Sequence, residues 1–460
     1  MVEKKIAKPK AEKAHKAVVP AKPHAEKVHA EKAHPSVDHK STEHKTVEHK
    51  AEAKATHAKE AHAKKNEVAQ PQINVGMIGH VDHGKTSLTK ALTGKWCDTH
   101  SEEVKRGISI RLGYADVTFY KFKTPSRTFY SNHKEEGLEP ISQRTVSFVD
   151  APGHETLMTT MLSGAALMNG AVLVIAANEV CPQPRTIEHL MALKFAGVDK
   201  IVVAQNKIDL LEKDALMKHY ASIKKFLTDY GYADAPIIPV SANFGANLDL
   251  LIEAIETHIT TPEFDTKKPL KMFVARSFDI NKPGTKINDM KGAILGGSIS
   301  QGMIHVGDEI ELYPGLNGKM KTKVMSISTS NGIISEARPG GLMAIATTLD
   351  PSTAQNDQYR GQIIAAVGTL PEPVKEVKIA LHLFERVLDA QMKELTTIKV
   401  SDAVVVTVGT NTVVGFVLKT DGKIATLNLK TLVIVEKGEK IALSKNINGQ
   451  WRLVAYAEVM

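Results

Sequence analysis

Cysteine is almost absent: Cys97 and Cys181 are the only two in 460 residues. Two thiols without metal-ligand spacing argue against a disulfide framework and a cysteine-built metal site, and predict a reducing, cytoplasmic setting. No apolar run approaches the ~18 residues that a membrane-spanning helix needs, and the polar N-terminus lacks the apolar core of a secretory signal. No membrane partner is expected. Aromatic residues make up only 5% of the chain, and residues 1–68 contain none, nor any Leu or Arg. That stretch carries 16 Lys against 10 Asp and Glu, an excess of six out of the chain's +8. With so little apolar surface to offset the entropy of ordering, residues 1–70 are predicted to be a disordered basic tail. His24, His29, His34, His39, His44 and His49 recur there at intervals of five. On a helix each such step turns a net ~140°, so the imidazoles spiral around the axis and no specific metal site is expected. The readings left are a solvated arm that touches RNA or the ribosome through its lysines, or an arm with no specific task.

The rest of the chain is different in kind. Hydrophobic residues are 42% of the whole, enough for real cores, and the length suits about three domains. The segment Gly79-His-Val-Asp82-His83-Gly84-Lys85-Thr86 fits the phosphate-binding pattern G-x-x-x-x-G-K-[ST]. It lies between an apolar run (73–78) and a helix-forming stretch (86–92) that opens on Thr86 and Ser87. In such a loop the glycines let successive N–H groups point at the β-phosphate, and Lys85 places a charge between the β- and γ-phosphates. The Thr86 hydroxyl ligates Mg²⁺, and the helix adds its positive end.

Three further motifs follow in order. Asp150-Ala-Pro-Gly153 ends a second apolar strand (145–149), where Asp150 can hold Mg²⁺ through water and Gly153 can offer its N–H to the γ-phosphate. Asn206-Lys207-Ile208-Asp209 closes a third (200–205). The Asp209 carboxylate can accept both N1–H and N2–H₂ of guanine, a pairing adenine cannot make, while Lys207 lies along the base. Ser241-Ala242-Asn243 ends a fourth (237–240) and can direct the Ala242 N–H at the guanine O6. Motifs at the carboxyl ends of parallel strands are how an open α/β sheet binds a ligand. GTP and GDP, with Mg²⁺, are the predicted ligands.

The nucleotide-binding domain should span 71–265, since helical periodicity at 248–258 gives way to Thr261-Pro262 and Lys267-Lys268-Pro269. Short β-rich runs (270–278, 292–299, 309–312, 343–347, 362–367) then alternate with Pro-Gly, Gly-Gly and Asn-Gly turns, which predicts a barrel over 266–370. Leu370-Pro-Glu-Pro373 marks a second break. A further set (374–383, 403–408, 412–418, 423–429, 440–445, 451–458) predicts a second barrel over 371–460. The predicted fold is an α/β phosphate-loop domain with a mostly parallel, doubly wound sheet, followed by two β-barrels.

This order, with these motifs, resembles the translational GTPases, and most closely the γ subunits of archaeal and eukaryotic initiation factor 2, over roughly 72–460. The phosphate loop is shared by several translation factors. Sharper are Ser101-Glu-Glu-Val-Lys-Arg106-Gly107-Ile-Ser109-Ile-Arg, Asp150-Ala-Pro-Gly-His154-Glu, Thr159-Thr-Met-Leu-Ser-Gly-Ala-Ala-Leu-Met168 and Ala177-Asn-Glu-Val-Cys181-Pro-Gln-Pro184. In the predicted barrels, Arg276-Ser-Phe-Asp-Ile-Asn-Lys-Pro-Gly284, Ala337-Arg-Pro-Gly-Gly341 and Leu349-Asp-Pro-Ser352 also look like signatures of that family.

The resemblance implies a GTPase of protein synthesis that carries acylated initiator methionyl-tRNA. It would work with the α and β subunits of the same factor on the small ribosomal subunit and its mRNA-associated initiation complex. Residues 106–110 would form the first switch, with Ser109 where the family usually has Thr; Ser109, Asp82 and the Gly107 carbonyl would serve a metal ion. His154 would orient the attacking water beside Gly153. Nothing resembles an arginine finger, so hydrolysis should be slow until a partner completes the site. Many relatives carry a zinc knuckle between the first switch and the Asp150 strand; residues 120–144 here hold no cysteine, so no zinc is expected. Two other readings are an elongation-type factor delivering another aminoacyl-tRNA, such as selenocysteinyl-tRNA, and a non-hydrolysing GTP-binding module. Against the first, the segment 105–111 lacks the Glu-Arg-Gly-x-Thr-x-Asp of general elongation factors; against the second stand Lys85, Thr86, Asp150 and His154.

Overall fold

The apolar run of β1 (Ile73–Ile78), interrupted by Asn74, is buried at every residue, as a central strand covered on both faces must be. In this computed structural model, which describes residues 70–97, 112–153, 157–286, 289–316, 318–384 and 397–460, β1 lies at the middle of a seven-stranded sheet. The other strands of the sheet are β2 (Gly113–Lys123), β3 (Thr128–Ser131), β4 (Ser142–Asp150), β5 (Gly170–Ala176), β6 (Ile201–Asn206) and β7 (Ile237–Pro239). Their order is β3-β2-β4-β1-β5-β6-β7. β4, β1, β5, β6 and β7 run parallel, while β2 and β3 add an antiparallel edge. The predicted tail up to residue 69, the predicted switch 106–110 and His154 lie outside the described residues.

Five helices accompany the sheet among the described residues: α1 (Lys85–Thr93), α2 (Met158–Ala165), α3 (Pro184–Phe195), α4 (Lys213–Asp229) and α5 (Leu248–His258). α1 buries Leu88, Thr89 and Leu92, and α4 buries His219, Ile223, Phe226 and Leu227. Each is a single stripe at helical spacing, with the other face in water. α3 is different, burying Arg185, Thr186, Glu188, His189, Leu190, Ala192 and Leu193. Consecutive buried positions ~100° apart leave no solvent face of normal width. Something must cover α3 on its outer side.

Two barrels follow the layer, and that cover comes from the second of them. The first is a ring in the order β11 (Glu309–Tyr313), β16 (Ile363–Ala366), β8 (Lys271–Phe278), β9 (Ile294–Gln301), β15 (Met343–Thr347) and β12 (Met320–Thr329), with β12 returning to β11. β13 (Gly332–Ile334) extends β12, and short β10 (Ile304–His305) and β14 (Glu336–Ala337) pair with each other. The second is a closed barrel of six strands: β17 (Val374–Leu383), β20 (Ile424–Val433), β19 (Asn411–Thr420), β18 (Ala403–Val408), β21 (Lys440–Ile447) and β22 (Gln450–Val459). Closure removes the unpaired edges that an open antiparallel sheet would expose.

The described residues from 70 to 460 form one compact unit, and its internal seams differ in chemistry. The nucleotide-binding layer meets the first barrel through buried polar contacts. Asn74 Nδ2 donates to Leu167 O at 2.9 Å and to Ser298 Oγ at 2.8 Å, and Ser298 Oγ donates to Gly341 O at 2.9 Å. Gly340 and Gly341 have φ of +103° and +74°, and a Cβ on either would lie 2.5 Å from Gln72 O or Pro71 Cβ. Glycine is required there on both counts. The second barrel meets the layer through apolar packing, with Ala442 and Leu453 in the same core cluster as Leu173, Leu190 and Leu193, and through one ion pair between Arg452 and Glu188 at 3.2 Å. The two barrels are joined by Tyr313, Ile363, Ala365 and Ile434, and by Thr410 Oγ1 donating to Val274 O at 3.1 Å.

Candidate guanine nucleotide site

The loop after β1 is shaped by what surrounds it. Gly79 has φ +144°, and a Cβ there would lie 2.3 Å from Val174 O; Gly84 has φ +87° and would meet Asn206 Nδ2 at 2.5 Å. Only glycine fits the two ends of this turn. Asp82, at its tip, is also left-handed at φ 63° and exposed. Gly84 leads directly into α1, so the first free N–H groups of that helix open toward the loop.

Of the two loop histidines, His83 faces inward. His83 is fully buried, its Nδ1 3.0 Å from Val174 O and its Nε2 3.2 Å from Glu179 Oε2. Burial holds its pKa below the usual imidazole range despite that carboxylate. The side chain thus anchors the loop to β5, leaving the main chain of His83 to line it. Lys85 is buried as well, and its Nζ donates to His80 O at 2.8 Å.

β4 delivers Asp150 at the same level, opposite Met77 of β1, and its side chain is fully buried. The turn that follows presses Gly153 against the loop: a Cβ on Gly153 would stand 2.5 Å from Lys85 Nζ and 2.8 Å from Gly79 O. Thr86 and Ser87 are half-buried at the start of α1. Thr86 and Asp150 present a hydroxyl and a carboxylate, hard oxygen donors of the kind Mg²⁺ takes together with phosphate and water.

β6 and β7 supply the other end. Asn206 Nδ2 donates to His83 O at 2.9 Å, and Asn206 Oδ1 accepts the Ala242 N–H at 3.1 Å. One buried amide therefore joins the phosphate loop to the Ser241-Ala242-Asn243 loop. That N–H, which the sequence suggested for the guanine O6, serves Asn206 here. Lys207 takes a left-handed φ of 62° and turns the chain so that Asp209 reaches the surface, where its Oδ1 accepts from Ser241 Oγ at 2.5 Å. Ile208 and Asp209 begin a short 3₁₀ turn, and Asn243 is exposed beside it.

Lys85, Thr86, Asp150, Gly153, Asn206, Asp209 and Ala242 thus converge on the carboxyl edge of the parallel strands. Gly107, Ser109 and His154 lie outside the described residues. Two contributors were not singled out from sequence. His189 of α3 accepts the Gly79 N–H on its Nδ1 at 3.2 Å, and Phe244 stands 77% exposed next to Asn243. An exposed aromatic beside a base-reading motif is legible in principle. A histidine among the charged residues of α3 is not.

A nucleotide layer of this design with two barrels behind it defines a translational GTPase. Residues 70–261 match the elongation factor Tu GTP binding domain, and 375–459 match the C-terminal domain of initiation factor eIF2 gamma. The translation initiation factor 2 subunit gamma of Methanothermobacter thermautotrophicus is 49% identical over 401 residues, covering 84% of this chain and 98% of that one. Its counterpart from Methanocaldococcus jannaschii is 46% identical over 411 residues, covering 86% and 99%. Among solved structures, a bacterial selenocysteine-specific elongation factor superposes with a TM-score of 0.66 at 25% identity, over 85% of this chain and 58% of that one. The chain belongs to the translation initiation factor 2 subunit gamma family. It is a GTP-binding initiation factor and a GTPase of protein synthesis.

Proposed function

We propose that this chain carries acylated initiator methionyl-tRNA to the small ribosomal subunit while GTP is bound, and releases it after hydrolysis. The observation that carries this reading is the approach of Gly153 to Lys85. A γ-phosphate held by Lys85 lies against the turn that leads toward α2, and α2 packs on β18 and β22 of the second barrel. Arg360 of the first barrel also reaches α2, donating to Ser163 Oγ at 3.1 Å. Presence or loss of that phosphate therefore has a short route to the seating of both barrels, where an RNA face can form or dissolve.

In this reading Thr86 and Asp150 hold Mg²⁺, joined by Ser109, Asp82 and the Gly107 carbonyl, and His154 orients the attacking water. Bound Mg²⁺ neutralises phosphate charge during transfer. Lys85 and Gly153 bind the γ-phosphate, and the main chain of 82–87 binds the β-phosphate. Asp209 reads the base, with Lys207 along its plane and Asn206 and 241–243 holding the wall. The functional units are 71–265, 266–370 and 371–460, preceded by the basic tail. The chain works in the cytoplasm with the α and β subunits of the factor. Among the described residues no helix is long and apolar enough to cross a membrane.

A binding assay with acylated initiator and elongator methionyl-tRNA, in GTP and in GDP, tests the proposal. Preference for the initiator species that requires GTP is expected. Equal binding of both acylated species would favour an elongation-type carrier instead, in line with the shared fold of the selenocysteine-specific factor.

A further inference from the structure

We infer that His189 positions the first residue of the phosphate loop, and that Glu188, its neighbour on α3, ties that position to the second barrel. The inference rests on the loop 79–86 being the nucleotide site.

The contact itself is specific. The Gly79 N–H donates to His189 Nδ1 at 3.2 Å, so the ring carries its proton on Nε2. Gly79 is jammed against β5, a Cβ there meeting Val174 O at 2.3 Å, so its peptide cannot swing to find another acceptor. His189 is 1% exposed. Burial, with Lys85, His80, Arg185 and His83 nearby, holds its pKa down at about 3, so the accepting lone pair persists throughout the physiological range. An N–H left buried without an acceptor is unfavourable, which makes this bond a constraint on where the loop begins.

The link to the barrel starts one residue earlier. Glu188 is 2% exposed; its Oε2 accepts from Arg185 on the same helix, and its Oε1 accepts from Arg452 Nη1 of β22 at 3.2 Å. A carboxylate sealed from water between two guanidiniums holds its geometry far more firmly than a surface pair, because losing either partner strands charge in the interior. Residues 188 and 189 point ~100° apart around the helix, one toward the barrel and one toward the loop. α3 is buried on nearly every side, and Leu190 and Leu193 share a core cluster with Leu453 of β22. A helix gripped in this way shifts as a rigid piece. Movement of the second barrel relative to α3 is therefore felt at Gly79, and nucleotide binding at Gly79 is felt by the barrel, as reciprocity requires.

The test measures fluorescent GDP affinity on the full chain. His189→Phe fills the space without a lone pair, His189→Asn places Oδ1 where Nδ1 stood, and His189→Gln moves the carbonyl one atom outward. The Phe variant should bind roughly tenfold more weakly. Asn should recover most of that loss and Gln should not, a contrast that mere loss of packing would not produce. If the Phe variant does not fold, the Asn and Gln pair carries the same comparison. Arg452→Met should weaken GDP several-fold in the parent and by a smaller factor beside His189→Phe. Parental affinity in His189→Phe, equal weakness in Asn and Gln, or factors that simply multiply would each overturn the inference. Lys85→Ala separates the two levels: if it binds GDP like the parent, the assignment of the loop itself falls.

Discussion

Single residues carry most of the nucleotide specificity, and their environments set testable behaviour. Asp209 is exposed, with one oxygen held by Ser241, which leaves the other for the guanine contact proposed above. Asp209→Asn should weaken GTP by about 2–3 kcal/mol and favour xanthosine triphosphate, whose C2 oxygen needs a donor. Competition binding with the two nucleotides checks this, and unchanged GTP affinity would remove Asp209 from the site. His189 makes a prediction about acid. Between the ordinary 6.5 and its folded value of about 3, the unfolded chain binds a proton that the folded chain refuses. Its contribution is therefore complete above pH ~6.5 and is lost as pH falls, by about 1.4 kcal/mol per pH unit. Burial lowers His219 in the same sense. Urea melts at pH 7 and pH 5 should show the drop, and His189→Asn should shrink it. The motif residues were legible because each has chemistry that few other residues can supply. His189 and Glu188 were not, because polar side chains on a helix read as a solvent face until the covering barrel is seen.

At the level of elements, sequence periodicity was informative where burial was one-sided or complete. The helix 248–258 and the strands 343–347, 374–383 and 403–408 coincide with the structure to the residue. β5 carries no clear mark in the sequence because it ends in no ligand motif, and β12 because its lysines interrupt an otherwise clear alternation. The predicted fourth strand stops at Pro239, one residue short of its expected end. Residues 120–144 show how a cysteine-free segment can be secured. Phe122 stacks on Phe129 with ring centroids 5.3 Å apart, and Asn132 Nδ2 donates to Leu92 O at 2.9 Å and Ala91 O at 3.2 Å, covering the end of α1. Asn132→Ala should cost about 1 kcal/mol of stability, visible as a lower melting midpoint, with GDP affinity unchanged. Elemental analysis of the purified chain should find no stoichiometric zinc; one zinc per chain that survives removal of the His-rich tail would contradict this.

For the whole molecule, the tail and the folded unit should divide their labour. Lysines that neutralise phosphates do so without reading bases, so deleting residues 1–68 should lower tRNA affinity modestly at low salt and flatten its salt dependence. Preference for initiator over elongator tRNA should survive the deletion, and its loss at physiological salt would make the tail a recognition element. The order of one α/β layer and two barrels was legible from turn residues and strand lengths. The seams between them were not, since Asn74 and Ser298 look like unremarkable polar strand residues until they meet. Their chemistry has a consequence for solubility. A boundary of amides, hydroxyls and glycine carbonyls can part into water with each lost hydrogen bond replaced by one to solvent. Separation of the nucleotide layer from the first barrel along that line would leave Leu342, which packs on the core of the layer, as the greasy patch for other proteins to stick to.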